Sequence, residues 1–308
     1  MTAAGVDSSE PVIGLREVTR RFGAKVALDQ VSLAIPRGSV FGLVGANGAG
    51  KTTLIRHVIG LLRAQGGSVR VFGMNPVADP AGVLARIGYL SEENDLPGWM
   101  RVSEFLRYSQ AFYPGWDGGY AEGLRHTFEL PADARLGNLS KGQRARAGLL
   151  VALAHRPELL VLDEPSSGLD PVVRRDILEA IIRTIADEGR TVLFSSHLLD
   201  EVERVSDHVA LLDQGRLVFS APLDELKESH RSLTVRFDAP QAQPPALAGA
   251  LTWKGTGHEW TAVCRGRLSD LAPKVAANGG RVVADRTPSL DEIFLARVTS
   301  CKTPVREG

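Results

Sequence analysis

Nine consecutive residues, Gly45-Ala46-Asn47-Gly48-Ala49-Gly50-Lys51-Thr52-Thr53, limit what this chain can fold into more than any other stretch. They fit the pattern G-x-x-x-x-G-K-[ST] from Gly45 through Gly50, Lys51 and Thr52. Glycines at this spacing let successive backbone N–H groups turn onto one concave face, where no Cβ obstructs the turn or an approaching phosphate. Lys51 adds a full positive charge, and the Thr52 hydroxyl can reach a Mg²⁺ bridging terminal phosphates. The short apolar run Ser39–Val44 precedes the loop as a buried strand. Leu54, Ile55, Val58, Ile59 and Leu62 follow it at helical spacing. Strand, glycine loop and helix in that order aim a helix N-terminus at an anion.

A second apolar run, Leu159-Leu160-Val161-Leu162, ends abruptly in Asp163-Glu164-Pro165. This is how a central parallel strand ends when it faces a ligand. Two adjacent carboxylates there can divide the work: Asp163 holds Mg²⁺ through its waters, and Glu164 polarises the water that attacks a γ-phosphate. Thr191–Phe194 is another short buried strand, and it ends at Ser195-Ser196-His197; His197 reads either as a structural histidine or as a γ-phosphate contact. Ser140, opening the helical stretch Lys141–His155, is either an ordinary N-cap or a cap that offers free N–H groups to an anion. Phe22 is an aromatic ring on a loop upstream of the cradle and suits either a core or the face of a purine. Glu92, after the strand Ile87–Leu90, is either a solvated acid or a carboxylate delivered to a metal's water shell.

The 308 residues suffice for one large or two modest domains, with 44% hydrophobic and 23% charged residues as in ordinary globular proteins. Thirty-six basic residues balance 36 acidic ones, which argues against a generally basic nucleic-acid binder. Two cysteines, Cys264 and Cys301, are too few for a disulfide framework or a zinc site of the usual spacing. No apolar run approaches the roughly 18–20 residues that span a bilayer, and Met1–Glu10 reads as a loose, flexible tail.

Along the chain, Val12–Ile35 reads as two strands, with Val31, Leu33 and Ile35 alternating against Ser32 and Ala34. From Val102 to Leu130 the pattern turns to helix and loop, as an insertion into an α/β core. Its aromatic residues, Trp99, Phe105, Phe112, Tyr113 and Trp116, divide between a core and a docking surface. Val173, Ile177, Leu178, Ile181, Ile182 and Ile185 form a stripe on a helix starting at Pro171. Val209–Leu212 and Leu217–Phe219 make a hairpin. Beyond Ala221 the motifs stop, and strands at Leu233–Phe237, around Gly255-Thr256-Gly257 and at Arg281–Ala284 alternate with helices at Leu268–Ala277 and Leu290–Val298.

Together these residues resemble the ATP-binding cassette (ABC) ATPases over roughly Val12–Ser220. Gly45–Thr52 looks like that family's Walker A, Leu159–Glu164 like its Walker B, Leu139–Gln143 like its signature, Ser167–Asp170 like its D-loop and His197 like its switch histidine. The departures are Phe22 for a frequent Tyr, Glu92 for the usual Gln and Lys141 for a signature glycine. With Tyr113–Asp117 and the ending Ser289–Leu295, they look most like bacterial ABC-2-type ATPases, including bacitracin-type exporters.

The resemblance implies an α/β P-loop NTPase fold, a RecA-like mixed sheet with an antiparallel β subdomain. The cassette would span 11–220 with a helical insertion at about 95–155, followed by a small α+β appendage at 221–308. It implies ATP and Mg²⁺ as ligands and ATP hydrolysis with Glu164, His197 and Lys51 as catalytic residues. Nucleotide contacts would come from Phe22, Asn47, Gly48, Gly50, Lys51, Thr52, Thr53, Ser140, Gly142 and Asp170, and metal contacts from Thr52, Glu92 and Asp163. Each ATP would lie between Lys51 of one chain and Ser140 of a second cassette. The expected partners are that second chain and a separate integral-membrane permease, with no nucleic acid, and the expected location is the cytoplasmic face of the membrane. Export of a drug, peptide antibiotic or lipid-like substrate is the implied task. An ABC-type ATPase acting on ribosomes or DNA is the alternative.

Overall fold

A computed structural model describes residues 10–93, 95–186, 189–243 and 245–302, without the side chains of 180, 181, 183–186 and 300–302. Residues 1–9 of the expected tail, Asn94, and the Ile181 and Ile185 side chains of the expected stripe lie outside that description. The chain divides into two compact units, Met1–Ser220 and Ala221–Gly308.

The first unit begins with β1 (Ile13–Phe22) and β2 (Lys25–Ile35), followed by β3 (Val40–Val44), α1 (Lys51–Val58), β4 (Gly66–Val71), α2 (Pro80–Leu84) and β5 (Ile87–Leu90). Then come α3 (Val102–Gln110), α4 (Gly118–Thr127), α5 (Lys141–Ala154), β6 (Leu159–Asp163), α6 (Pro171–Ala186) and β7 (Thr191–Ser196). α7 (Leu199–Val205), β8 (His208–Asp213) and β9 (Arg216–Pro222) close it.

Two sheets result. β2-β1-β4 is antiparallel, and β2 keeps its alternation: Val31, Leu33 and Ile35 are buried while Ser32 and Ala34 are exposed. The second sheet runs β5-β6-β7-β3-β8-β9, with parallel pairing from β5 through β8. Every residue of β3, β6 and β7 is buried, which is why these strands read as unbroken apolar runs. β8 turns into β9 through Gln214-Gly215, with φ 47° and 80°, the conformation that a two-residue hairpin requires. In α6, Val173, Ile177 and Leu178 are buried, and Ile182 is 46% exposed.

The helical stretch is held by its caps. Asp117 accepts from Tyr120 N at 2.9 Å to start α4. Ser140 starts α5 with a reciprocal box: Gln143 N donates to Ser140 Oγ at 3.1 Å, and Ser140 N donates to Gln143 Oε1 at 3.0 Å. Its aromatic residues separate by environment. Phe105 is buried, and Tyr113 stacks on buried His155 with ring centroids 3.9 Å apart. Trp99 and Phe112 remain 72% and 62% exposed.

In the second unit α8 (Leu223–Glu228) leads into β10 (His230–Gln241), β11 (Ala250–Arg265), α9 (Leu268–Ala277), β12 (Gly280–Arg286) and α10 (Leu290–Lys302). The antiparallel order is β11-β10-β12. β11 folds back near Gly255, where a Cβ would meet Trp260 Cα at 2.7 Å, and its last residue closes on the residue preceding the strand, Arg265 N donating to Gly249 O at 2.7 Å. Leu233, Val235, Phe237, Trp260, Ala262 and Leu271 pack its core. α10 opens on Ser289, whose N–H donates to Glu292 Oε2 at 2.9 Å. The Arg286 fork grips the same carboxylate at 2.5 and 2.7 Å and pulls its pKa down to about 2.

β5 meets α5 so closely that a Cβ on Gly88 would sit 2.0 Å from Ala152 O. Overpacking against backbone costs about 1–3 kcal/mol. Gly88→Ala is therefore expected to lower the unfolding free energy by about that amount; an unchanged thermal melt would show that β5 and α5 can separate freely.

Candidate functional site

The loop joining β3 to α1 is shaped by glycines at positive φ. Gly48 has φ 82° and Gly50 φ 113°. A Cβ on Gly50 would lie 2.5 Å from Ala27 O, so this position also needs close backbone approach to β2. α1 then begins at Lys51 with no side-chain cap at its N-terminus, which leaves its first N–H groups available to an anion. An open cavity of about 250 Å³ lies at the loop, lined by Phe22, Lys25, Ala27, Asn47, Gly48, Gly50, Lys51, Thr52, Thr53, Glu92 and Glu164.

Lys51 is 5% exposed, and its ammonium donates to Gly45 O at 2.7 Å. It also lies 2.9 Å from Glu164 Oε1, as an ion pair. On the other side, His197 donates from Nδ1 to Glu164 Oε2 at 2.7 Å, and the His197 N–H approaches the same oxygen at 3.3 Å. Glu164 has φ 48°, the left-handed region that non-glycine residues avoid. Strain of this kind persists only where surrounding contacts impose it. Here Lys51, His197 and the bond from Glu164 N to Ser195 Oγ at 2.9 Å do so.

Asp163 accepts from Ser195 Oγ at 2.7 Å and from Thr52 Oγ1 at 3.2 Å, both on Oδ1. Burial pushes its carboxyl above the usual carboxylate range, and the two hydroxyls oppose that rise. Glu92 reaches the cavity from the loop after β5; Ser167 Oγ donates to its Oε1 at 3.5 Å.

The structure therefore brings together Phe22, Asn47, Gly48, Gly50, Lys51, Thr52, Thr53, Glu92, Asp163, Glu164 and His197. Ser140, Gly142 and Asp170 do not line this cavity. Ser140 is exposed at the start of α5, and Gly142 is buried against Val173 of α6. Asp170 Oδ1 caps α6, accepting from Val172 N and Val173 N at 3.0 and 3.1 Å. Two residues beside the site carry no sequence motif. Ser195 ties the end of β6 to β7, donating to the Asp163 carboxylate and accepting from the Glu164 N–H, and its signal is a hydroxyl ending a buried strand beside a histidine. Glu201 accepts from Ser166 Oγ at 2.6 Å and pairs with Arg174 at 3.0 Å beneath the site; nothing local distinguishes it.

Fold and site together define a nucleotide-phosphate-binding α/β cassette. A family model described as ABC transporter matches residues 28–167. The chain is 31% identical to the ABC transporter ATP-binding protein YtrB of Bacillus subtilis, over 74% of this chain and 77% of that one. It is 36% identical to the ABC transporter ATP-binding protein NatA of the same organism, over 72% and 94%. With the bacitracin transport ATP-binding protein BcrA of Bacillus licheniformis it shares 31%, over 71% and 72%. Among solved structures, an ATP-binding subunit of an ABC transporter superposes with TM-score 0.65 at 28% identity, covering 70% of this chain and 92% of that one. The dimeric cassette MJ0796 shares the fold at TM-score 0.62 and 22% identity, covering 68% and 98%. The chain belongs to the ATP-binding proteins of ABC transporters, a family of ATPases.

Outer contacts that hold catalytic or metal-facing carboxylates are typically worth 10–100-fold in activity or metal affinity. Ser195→Ala removes one such contact from Asp163 and one from Glu164 N. ATPase turnover at saturating nucleotide should fall roughly 10–100-fold; wild-type phosphate release would remove Ser195 from the site.

Proposed function

We propose that this chain binds and hydrolyses ATP as one cassette of a dimer, and that the dimer drives a separate membrane permease exporting a drug, peptide antibiotic or lipid-like substrate. The observation that carries the catalytic reading is the convergence of Lys51, Thr52, Asp163, Glu164 and His197 at the C-terminal ends of the adjacent strands β3, β6 and β7. Such strand ends are where open parallel sheets bind ligands.

The residues fit Mg²⁺ held with a nucleotide. No group of three metal-binding side chains occurs among the described residues, so a divalent ion would need phosphate and water oxygens beside Thr52 and Asp163. Glu92 would act through water at the cavity rim. Bound there, Mg²⁺ supplies neutralisation of phosphate charge.

The remaining steps belong to the chain. Phe22 stacks on adenine. Asn47, Gly48, Gly50 and Thr53 line the phosphate path, and Lys51 moves from Gly45 O and Glu164 onto phosphate oxygens. That movement frees Glu164 Oε1 to take a proton from the attacking water, while His197 holds Oε2. Ser140, Gly142 and Asp170 lie outside this cavity and act on the nucleotide of the second chain, so two half-sites close around each ATP. We assign the catalytic role to a cassette at 11–220 with helices inserted near 95–155, and an accessory role to 221–308, a reading supported by the division of the chain at Ser220.

Export is supported by BcrA, named for bacitracin transport, and by YbhF of Escherichia coli, named a probable multidrug ABC transporter ATP-binding protein. YbhF is 34% identical over 71% of this chain but only 38% of its own length. Among the described residues no helix is long and apolar enough to cross a membrane. We place the chain peripherally, on the inner face, and assign the substrate path to the permease.

General base catalysis is typically worth ~10²–10⁴ in rate. Glu164→Gln should lose turnover by about that factor, retain ATP binding, and sediment as an ATP-dependent dimer; wild-type turnover would refute the assignment. Purification of the tagged chain from mildly solubilised membranes should yield a stoichiometric polytopic partner. Recovery with ribosomes or nucleic acid would overturn the transport reading and leave the ATPase reading intact.

A further inference from the structure

We infer that Arg20 is a positioning residue for the base-stacking ring: its guanidinium backs Phe22 from outside the nucleotide cavity and holds the ring for adenine. The inference rests on the assignment of Phe22 to adenine.

The tip of the β1–β2 hairpin needs such support. Phe22 pairs with Lys25 across a two-residue turn, whereas the pairing of β1 with β4 ends at Thr19 opposite Gly66. Beyond that point β1 has a strand partner on one side only, and Phe22 is 45% exposed. An exposed ring on a hairpin tip has several rotamers open to it, and stacking would have to select one at an entropic cost.

Arg20 removes that freedom. Residues i and i+2 share a face of a strand, and the Arg20 guanidinium carbon sits 4.7 Å from the Phe22 ring centroid. The guanidinium is itself anchored, donating from Nη1 to Arg63 O at 3.2 Å in the segment after α1. Phe22 lines the cavity whereas Arg20 is not among its lining residues, so we place the cation outside the cavity, behind the ring. A cation over an aromatic face is attracted by the ring quadrupole and withdraws electron density from it. The exposed side then meets an electron-rich purine more favourably. Through Arg63 O the same guanidinium ties the hairpin to the segment that follows α1, the helix carrying Lys51 and Thr52.

The test uses the full chain, with steady-state ATP hydrolysis and with inorganic tripolyphosphate as a competitive inhibitor that carries no base. Arg20→Ala should raise KM for ATP roughly two- to five-fold, the range expected for an exposed cation–π contact. It should leave kcat and the tripolyphosphate inhibition constant unchanged, and Arg20→Lys should recover much of the loss. In a Phe22→Ala background, Arg20→Ala should have no further effect on KM. An unchanged KM in Arg20→Ala while Phe22→Ala raises it would overturn the role of Arg20 and spare that of Phe22. Equal losses toward ATP and tripolyphosphate, or full additivity with Phe22→Ala, would also overturn it by showing a general structural effect. An unchanged KM in Phe22→Ala would overturn the stacking assignment itself.

Discussion

A buried lysine and a buried glutamate, 2.9 Å apart and each about 5% exposed, set the terms for the rest of the catalytic unit. Removing two charges from water is costly, and their attraction offsets the cost only when further hydrogen bonds satisfy the remaining donors and acceptors. Gly45 O serves Lys51, His197 serves the Glu164 carboxylate, and Ser195 Oγ accepts from the Glu164 N–H. Gly45 follows β3, Glu164 follows β6, and Ser195 and His197 lie at the end of β7. The ion pair therefore requires β3, β6 and β7 to be adjacent, in register and terminated at the same level.

The sheet meets that requirement through its strand order. β6 and β3 flank β7 although more than a hundred residues separate Asp163 from Thr52, and parallel pairing brings all three C-terminal ends to one edge. Parallel strands buried on both faces need helical crossovers to cover them. Those crossovers carry α1, whose N-terminus forms the cradle, and α7, whose Glu201 braces the turn after β6. The glutamate's left-handed backbone is the local cost of aiming a carboxylate back over the strand end.

In the mechanism proposed above, the lysine that anchors the ion pair is also the one that meets phosphate, so occupancy of the cradle and release of Glu164 are linked through one side chain. The charge pattern of the chain, 36 basic against 36 acidic residues, gives no hint of this arrangement because the pair is neutral as a unit.

Much of the site was legible in the sequence because its parts are local. Gly45–Thr53 encodes its own turn, and Leu159–Glu164 encodes a buried strand and its acidic end. Ser140 encodes an N-cap, and the alternation of Val31, Leu33 and Ile35 encodes a half-buried strand. Backbone sterics and hydrophobic periodicity act over a few residues and leave marks of the same length. What joined those pieces was invisible at that range. Ser195 bridging the Asp163 carboxylate and the Glu164 N–H, Arg63 O anchoring the Arg20 guanidinium, and the division of the aromatic residues into buried Phe105 and exposed Trp99 and Phe112 depend on residues far apart in the chain. The sequence by itself determined which segments would be cradle, strand end and cap. Only the tertiary structure decided which side chains meet there, because pairing order and packing are settled by the burial of the whole chain.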